Sequence, residues 1–457
     1  MKRGFLNTSK AKKQLDQTAL AQPLKTEKGM CEPEPFSHGV QGFLPEGYQS
    51  PITIAKLVEI DPKTLNYSPD FYIFTAVPPV PLNAKLADVP GGWAECYISG
   101  HVKRVIYETP EFPRLPLSPP NGKSYRIGQA GDKGLGMFAT RLIRAGELIL
   151  DERPMLVFTS SPKTLMMMDT SDVVKLSHEQ QKQIVLHEWG KLAKIAFDRM
   201  PPENQEAFMD LFNSHEHDGS DEIVGRIRTN GVRCDLEDKD AIGPLGGYTA
   251  VCKDISRINH CCGPNAIWEW HTDSFSVRIY ATRDIGVGEE VTISYCDNLA
   301  PAAERAAHLS PYGIARCKCS PSCSDEAKSK ISDERRARFE HEPITLIPPF
   351  DTPMSAAEPE DAWVQPAVRR LQELEDEGLE GTKHYTHTAY QLINSYSFLQ
   401  NVEKVLLYAN KLKGVEKVIN KRDLNTMYLS EEGIRGNPIY LAGELTKKGM
   451  PIMMTFK

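Results

Sequence analysis

Three cysteines stand close together near residue 320 and constrain the fold more than any other feature of the chain. They lie in the segment Cys317-Lys318-Cys319-Ser320-Pro321-Ser322-Cys323. Close spacing allows one metal ion to bind several thiolates, because tetrahedral zinc needs sulfur atoms about 2.3 Å from the ion. A closed site needs a fourth ligand, and the pair Cys261-Cys262 is the obvious donor. The alternative is a set of separate core cysteines, but a C-x-C-x3-C pattern is uncommon by chance and favours zinc.

The cysteine usage also bears on the cellular compartment. The chain has ten cysteines, and its N-terminus shows no apolar signal segment, which favours a reducing compartment. In such a compartment a tight cysteine cluster indicates a metal site before it indicates disulfides. No run of about 18 apolar residues is present, so we expect no membrane span. We expect the protein in the nucleus, the cytoplasm or both.

Size and charge limit the architecture and the partners. With 457 residues the chain is too long for one compact core and fits two or three domains. The net charge of −7 argues against nucleic acid as the main ligand, because phosphate binding needs a basic field. We expect no direct nucleic-acid contact. An acidic protein would sooner attract a basic peptide.

The first 124 residues divide into two predicted parts. Residues 1–30 are polar and lysine-rich, and we predict a disordered basic tail over residues 1–42. The segment Lys10-Ala11-Lys12-Lys13 is alternatively a nuclear-import signal. Residues 43–124 form an N-terminal extension with short strands near Tyr72 and Cys96. It ends in a proline-rich linker that disfavours helix.

Residues 125–298 show strand patterns on both sides of a helical stretch. The insertion at about 171–228 begins with the capping-box spacing of Ser177 and Gln180. Strand-like alternation returns at Val291, Ile293 and Tyr295. Residues 299–330 then hold the cysteine triplet. A helical C-terminal region is predicted for 331–457, in which paired helices could alternatively be solenoid-like.

Three further features are weak when taken singly. The pair Asn259-His260 is by default a satisfied polar pair. The segment Gly134-Leu135-Gly136 usually marks a turn, although glycines also let backbone approach a ligand closely. An inward Tyr295 is ordinarily a core residue with a bonded hydroxyl.

In combination these features resemble a known family. The order of Lys133-Gly134-Leu135-Gly136-Met137-Phe138-Ala139, Arg257-Ile258-Asn259-His260-Cys261-Cys262-Gly263-Pro264-Asn265, Gly288-Glu289-Glu290-Val291-Thr292-Ile293-Ser294-Tyr295 and the cysteine triplet is similar to a SET domain with a post-SET zinc segment. The helical parts resemble the SET–MYND branch and fungal SET-domain proteins, although no MYND-finger pattern is found. The resemblance implies a mainly β SET fold. It comprises small twisted sheets with a pseudoknot, a helical insertion, a post-SET zinc site and an α-helical C-terminal region.

The resemblance also implies a function and a set of site residues. The function is S-adenosylmethionine-dependent protein-lysine N-methyltransferase, acting on a histone tail or another lysine-bearing protein. Tyr295 and Tyr312 would be catalytic, and Cys262, Cys317, Cys319 and Cys323 would bind structural zinc. The cofactor-binding residues would be Lys133, Gly134, Leu135, Gly136, Asn230, Ser256, Asn259, His260, Tyr295 and Ile314.

This sequence departs from the family pattern at three places. Cys261 replaces the usual serine, and the last gap of the cysteine triplet has three residues where the SET–MYND branch has two. Ile314 or Ala315 stands where an aromatic ring often covers the adenine. The missing ring favours an alternative hypothesis, a catalytically silent SET scaffold or reader that binds proteins through its helical C-terminus. The intact Tyr295 favours the enzyme.

Overall fold

The protein is described by a computed structural model for residues 44–51, 58, 61–81, 83–160, 170–237, 247–314, 317–319, 321–342, 344, 346 and 359–448. The predicted tail 1–42 and Ala315 lie outside these residues. The strands are β1 Tyr72–Val77, β2 Ala94–Ser99, β3 Tyr125–Gln129, β4 Leu135–Ala139, β5 Leu148–Glu152, β6 Leu156–Thr159, β7 Val232–Glu237, β8 Gly247–Val251, β9 Asn259–His260, β10 Ala266–His271, β11 Ser276–Ala281 and β12 Glu290–Ile293.

The helices occupy three stretches of the chain. They are α1 Gly100–Glu108, α2 Thr170–Val173, α3 His178–Asp198, α4 Pro202–Met209, α5 Glu222–Asn230, α6 Ala302–Leu309, α7 Pro321–Ser324, α8 Glu326–His341, α9 Gln365–Asp376, α10 Lys383–Phe398, α11 Val402–Asn420, α12 Glu431–Arg435 and α13 Pro438–Lys447. Among the described helices, none is both long and apolar enough to cross a membrane.

The strands form small sheets that surround one core. The orders are β1-β2-β6-β8-β7, β10-β11-β5 and β3-β4-β12-β9. The side chains that these sheets share, from Val77 to Ile314, pack into one buried cluster. The predicted boundary at residue 124 does not separate two sheets, because β2 of the extension pairs in parallel with β6.

The helical insertion covers one face of the first sheet. Its helix α3 begins at His178, and the N-cap residue Ser177 makes the predicted capping box with Gln180. Buried apolar residues of α3, such as Trp189, pack with Phe74 and Phe158 of the sheet. A further helix of the insertion, α4, ends at Met209 and buries Phe208 in the same cluster.

The C-terminal helices form a second core and lie against the sheets through glycine contacts. A Cβ placed on Gly263 would meet the backbone oxygen of Glu377 at 2.5 Å, and one on Gly378 would meet the Cα of Gly263 at 2.8 Å. A Cβ on Gly146 would likewise meet the Cα of Gly414 in α11 at 2.6 Å. The backbones therefore touch directly at two places, which a larger residue would prevent.

Candidate active site and metal centre

The candidate site is built around a short parallel pair of strands. In this pair Thr292 of β12 lies beside Asn259 of β9, and Ile293 lies beside His260. The pairing continues past the strand, because the backbone N–H of Cys261 donates to the carbonyl of Ile293 at 2.9 Å. The two motifs, whose paired residues Asn259 and Thr292 are 33 positions apart, are therefore joined into one surface.

Asn265 fixes the turn that follows β9. Its side-chain Nδ2 donates to the carbonyl of Glu290 at 2.9 Å, and its Oδ1 accepts from the backbone N–H of Thr292 at 2.8 Å. The side chain is buried, so each bond replaces one to water. Asn265 thus ties the turn after Asn259-His260 to β12.

Glu290 connects the loop before β4 to Asn259 of β9. The Lys133 ammonium lies 2.8 Å from Glu290 Oε2, and the Asn259 amide donates to Glu290 Oε1 at 2.5 Å. Asn259 Nδ2 also lies 3.3 Å from the carbonyl of Leu135. Gly134, between Lys133 and Leu135 in the sequence, has φ 73° and ψ −131°, a backbone conformation that residues with a side chain rarely adopt. The predicted loop and the predicted Asn-His pair are therefore adjacent.

Tyr295 lies at the centre of an aromatic group. Its hydroxyl donates to the carbonyl of Ile258 at 2.6 Å, and its backbone N–H donates to His260 Nδ1 at 3.1 Å. Its ring centroid lies 5.4 Å from that of His260 and 5.5 Å from that of Tyr312. Both tyrosines are 3% exposed, and Ile314 is also buried. The two predicted catalytic tyrosines are thus brought into contact.

His260 is held neutral by its surroundings. Burial lowers its pKa to about 4. Its Nδ1 accepts from the backbone of Tyr295, and its Nε2 lies 3.3 Å from Cys262 Sγ. Because Nδ1 accepts, a neutral ring carries its proton on Nε2, facing the sulfur.

Asn230 and Ser256 lie next to each other. The Ser256 hydroxyl donates to the carbonyl of Asn230 at 3.2 Å. Asn230 is fully buried, and its Nδ2 donates to the carbonyls of Phe212 and Arg226 at 2.7 and 2.9 Å. Within the described part of the chain its Oδ1 has no hydrogen-bond partner. A buried acceptor without a partner is costly and indicates a place for a donor.

The four predicted metal ligands are gathered into one cluster. The sulfur atoms of Cys262, Cys317, Cys319 and Cys323 all lie within 4.8 Å of one another. The backbone N–H of Cys262 also donates to Cys319 Sγ at 3.2 Å. Tetrahedral zinc with four thiolates requires such a set. Cys261 is outside this set, and its thiol lies 3.2 Å from the carbonyl of Gly263.

Two thiols of the cluster, Cys319 and Cys323, favour the deprotonated form. Hydrogen bonds from the neighbouring thiols, that of Cys261 first, lower the pKa of Cys319 far below its ordinary value. Hydrogen bonding with Cys262 lowers the pKa of Cys323 to about 6. Hydrogen bonding with Cys317 raises the pKa of Cys262, and hydrogen bonding with Cys319 and Cys323 raises that of Cys317 against the lowering effect of Cys262. Cys319 and Cys323 are therefore the members of the cluster that favour the thiolate, which is the form that binds metal.

Arg305 is a buried cation beside the cysteine cluster. Its side chain is 2% exposed, and its Nη1 donates to the carbonyl of Ala300 at 2.6 Å. Its Nε and Nη2 are buried without an acceptor among the described residues. Burial alone lowers the pKa of Arg305, but the negative charges of Cys262, Cys323 and Asp333 raise it above its ordinary value. A buried guanidinium beside the cluster therefore fits thiolates that stay charged around a metal ion.

A second buried arginine joins the metal cluster to the C-terminal helices. Arg336 of α8 donates to the carbonyls of Cys262, at 3.3 Å, and of Asn298. Its other end pairs with the Glu377 carboxylate at 2.9 Å, which also accepts from the Ser332 hydroxyl at 2.6 Å. The turn that carries Cys262 is thus fixed from the C-terminal side.

A cavity of about 140 Å³ lies between β12 and the loop after α9. Ile293 and Ser294, which directly precede Tyr295, form one wall, and Leu379, Gly381 and Thr382 form another. Trp268 and Asn298 also line it. The cavity therefore lies beside the strand end that leads into Tyr295, whereas His260, Tyr295 and Tyr312 are not among its lining residues.

Most predicted site residues converge, and three partners of the site were missed from the sequence. Lys133 and Asn259 both bond to the carboxylate of Glu290, and the Asn259 amide also lies near the carbonyl of Leu135. Gly136 provides the space for that carboxylate. Glu290, Arg305 and Arg336 were not predicted as site residues. The spacing of Glu290 to Tyr295 within the third motif was the one signal available, because the two arginines lie in ordinary charged helices.

Comparison with known proteins agrees with this geometry. Residues 134–296 match the family model of the SET domain. The chain contains a SET domain. Its match to Histone-lysine N-methyltransferase set5 of Schizosaccharomyces pombe is 28% identical over 231 residues, covering 50% of this chain and 60% of that protein.

The similarity to other curated proteins is more local. N-lysine methyltransferase SMYD2 of Homo sapiens is 30% identical over 114 residues, which are 25% of this chain and 24% of that protein. The chain thus matches less than two thirds of the length of either relative. The solved Neurospora SET domain protein DIM-5 is 15% identical over 39% of this chain and 54% of its own, with a TM-score of 0.20.

Proposed function

We propose that the protein is an S-adenosylmethionine-dependent protein-lysine N-methyltransferase. The observation that carries this proposal is the position of Tyr295. It lies between the carbonyl of Ile258, the ring of His260 and the ring of Tyr312, inside a SET domain. The relatives named as lysine methyltransferases support the same activity.

The cofactor would occupy the surface formed by the loop before β4 and the turn around β9. The backbone of Gly134, Leu135 and Gly136 would contact it, with Lys133 and Asn259 at its amino-acid end. His260 would hold the adenine end, near Ile314. Asn230 and Ser256 would contribute further contacts, and the buried acceptor of Asn230 supports this placement.

Tyr295 and Tyr312 would act on the acceptor lysine. Methyl transfer from a sulfonium to an amine is an in-line displacement, so alignment matters more than a strong base. The lysine amine must be neutral, and burial in a narrow apolar site lowers the pKa of an ammonium group. The faces of the two buried rings suit a cationic product. Tyr295, with the carbonyl of Ile258 beside it, would orient the amine and favour the developing positive charge.

The zinc would be structural and would belong to a post-SET segment at residues 299–330. Zinc bound by Cys262, Cys317, Cys319 and Cys323 closes its coordination with four thiolates and leaves no open position for chemistry. Its role would be to hold the chain between Tyr312 and Cys323 against the turn after β9. The parallel pairing of β9 with β12 supports a pseudoknot at this turn.

We further propose a domain division and a class of substrate. The SET domain would span residues 125–298, after an extension at 43–124 and before a helical region at 331–457. The substrate would be a lysine-bearing protein such as a histone tail. The protein would act in the nucleus or the cytoplasm without direct nucleic-acid contact.

Calorimetric titration of the zinc-loaded full chain with S-adenosylmethionine tests this proposal. We expect saturable binding that is lost in Asn259→Ala, while Asn410→Ala on the exposed side of α11 binds as the unchanged protein does. Absence of binding at millimolar cofactor concentration would contradict the proposed methyltransferase function. It would favour the second candidate, a silent SET scaffold, to which the aliphatic Ile314 in place of an aromatic ring points.

A further inference from the structure

The Glu290 carboxylate connects three segments that are distant in sequence. Its Oε2 lies 2.8 Å from the ammonium of Lys133, and its Oε1 accepts from the Asn259 amide at 2.5 Å. Glu290 itself begins β12, where it lies beside Phe138 of β4. One side chain thus contacts both a residue of the loop before β4 and a residue of β9.

These contacts determine the orientation of the Asn259 side chain. An amide group has two N–H donors on the same nitrogen. Both acceptors near Asn259 Nδ2 are oxygens, the Glu290 carboxylate at 2.5 Å and the carbonyl of Leu135 at 3.3 Å. A carboxylate can only accept, so the amide cannot turn its oxygen toward Glu290 without placing two acceptors against each other.

Gly136 provides the space for this carboxylate. A Cβ at position 136 would lie 2.8 Å from Glu290 Oε1 and 3.1 Å from Asn259 Nδ2. The Gly136 backbone shows no positive φ, so its conformation alone does not require glycine. The close approach of Glu290 and Asn259 therefore gives a separate reason for glycine at this position.

Charge also favours a specific role for the pair. The side chain of Glu290 is 17% exposed and that of Lys133 is 32% exposed, so the pair lies at the edge of the candidate cofactor surface. The amino-acid end of S-adenosylmethionine carries both an ammonium and a carboxylate. A neutralised Lys133–Glu290 pair presents donors to that carboxylate without an uncompensated positive charge.

We propose that Glu290 is a positioning residue for the methyl donor, which acts by orienting Asn259 and Lys133 toward the amino-acid end of the cofactor. This inference rests on the proposed function. Glu290 acts through its two partners, whereas Asn259 and Lys133 touch the cofactor. The effect on catalysis is therefore expected in cofactor affinity rather than in the methyl-transfer step.

The test compares cofactor affinity in Glu290→Ala, Glu290→Gln and Lys133→Met, with Glu289→Gln as the matched control. Glu289 is the adjacent carboxylate, and it bonds instead to Asn265 and to the backbone N–H of Gly286. Loss of charge-assisted bonds predicts a dissociation constant for S-adenosylmethionine raised about tenfold or more in Glu290→Ala. Glu290→Gln keeps an acceptor for Asn259 and is expected to lie between Glu290→Ala and the unchanged protein.

Two further readouts separate positioning from loss of structure. The KM for the cofactor is expected to rise in proportion to the dissociation constant, with kcat at saturating cofactor and the KM for the peptide unchanged. The melting temperature without cofactor is expected to stay within a few degrees of the unchanged protein. A Glu290→Ala variant with unaltered affinity, or an equal loss in Glu289→Gln, would overturn the inference while leaving the proposed function standing. Failure of the unchanged protein to bind the cofactor would remove both.

Discussion

The ring of Tyr312 lies edge-on to the ring of Tyr295, with centroids 5.5 Å apart and planes at 70°. Tyr295 follows β12, whereas Tyr312 precedes the cysteine triplet, so the contact joins the SET domain to the metal segment. Edge-to-face aromatic pairs are favourable and geometrically specific. We therefore expect the position of Tyr295 to depend on metal binding by the cysteine cluster that follows Tyr312.

Zinc content tests which of the two adjacent cysteines is a ligand. We expect Cys262→Ser and Cys319→Ser to lose the metal, because their sulfur atoms belong to the four-thiol cluster. Cys261→Ser is expected to keep one zinc per chain, since Cys261 lies outside that cluster. The measurement is metal content by elemental analysis after dialysis. Full zinc in Cys262→Ser together with loss in Cys261→Ser would reverse the assignment.

The buried pair of Arg336 and Glu377 is expected to contribute strongly to stability. Arg336→Met leaves the Glu377 carboxylate buried without its main partner, which costs about 3–5 kcal/mol. Arg335→Met is the control, because Arg335 lies one position away, is 30% exposed and approaches Glu377 only to 3.5 Å. Its loss is expected to cost about 1 kcal/mol or less. Chemical denaturation of both variants checks this, and equal losses would contradict it.

The pH dependence of stability should report the titration of the half-buried Glu152. Burial raises its pKa from 4.5 to about 7, and the neighbouring Asp254 adds to this. Between these values the folded state keeps a proton that the unfolded state has lost, so stability falls as the pH rises from 4.5 to 7. Glu152→Gln removes this contribution, although it also weakens the backbone hydrogen bonds that Glu152 accepts from residues 253–255.

The check is the free energy of unfolding across that pH range for both proteins. The difference between Glu152→Gln and the unchanged protein is expected to shift in favour of the variant as the pH rises. A difference that stays constant would show that Glu152 does not titrate in this range.

Local patterns predicted much of the fold, because their causes lie within a few residues. The capping box of Ser177 and Gln180 is confirmed, as are the strands that hold Tyr72 and Cys96. The gathering of Cys262 with the cysteine triplet also follows the sequence.

Contacts between distant residues could not be predicted in this way. The pairing of β2 with β6 depends on register between segments about 60 residues apart. Glu290 belongs to the site because it contacts Asn259, which lies 31 residues away in the sequence. Arg336 belongs to it because it contacts Cys262, which lies 74 residues away. A charged residue in a strand or helix gives no local sign that such partners exist.

Transfer of a labelled methyl group from S-adenosylmethionine to lysine-bearing proteins, measured for the unchanged chain and for Tyr295→Phe, tests the central claim most directly. Loss of the hydroxyl that bonds to the Ile258 carbonyl is expected to lower kcat by about 10²–10³-fold. Zinc content and melting temperature are expected to remain close to those of the unchanged protein. Equal turnover in Tyr295→Phe would remove Tyr295 from the mechanism and contradict the account.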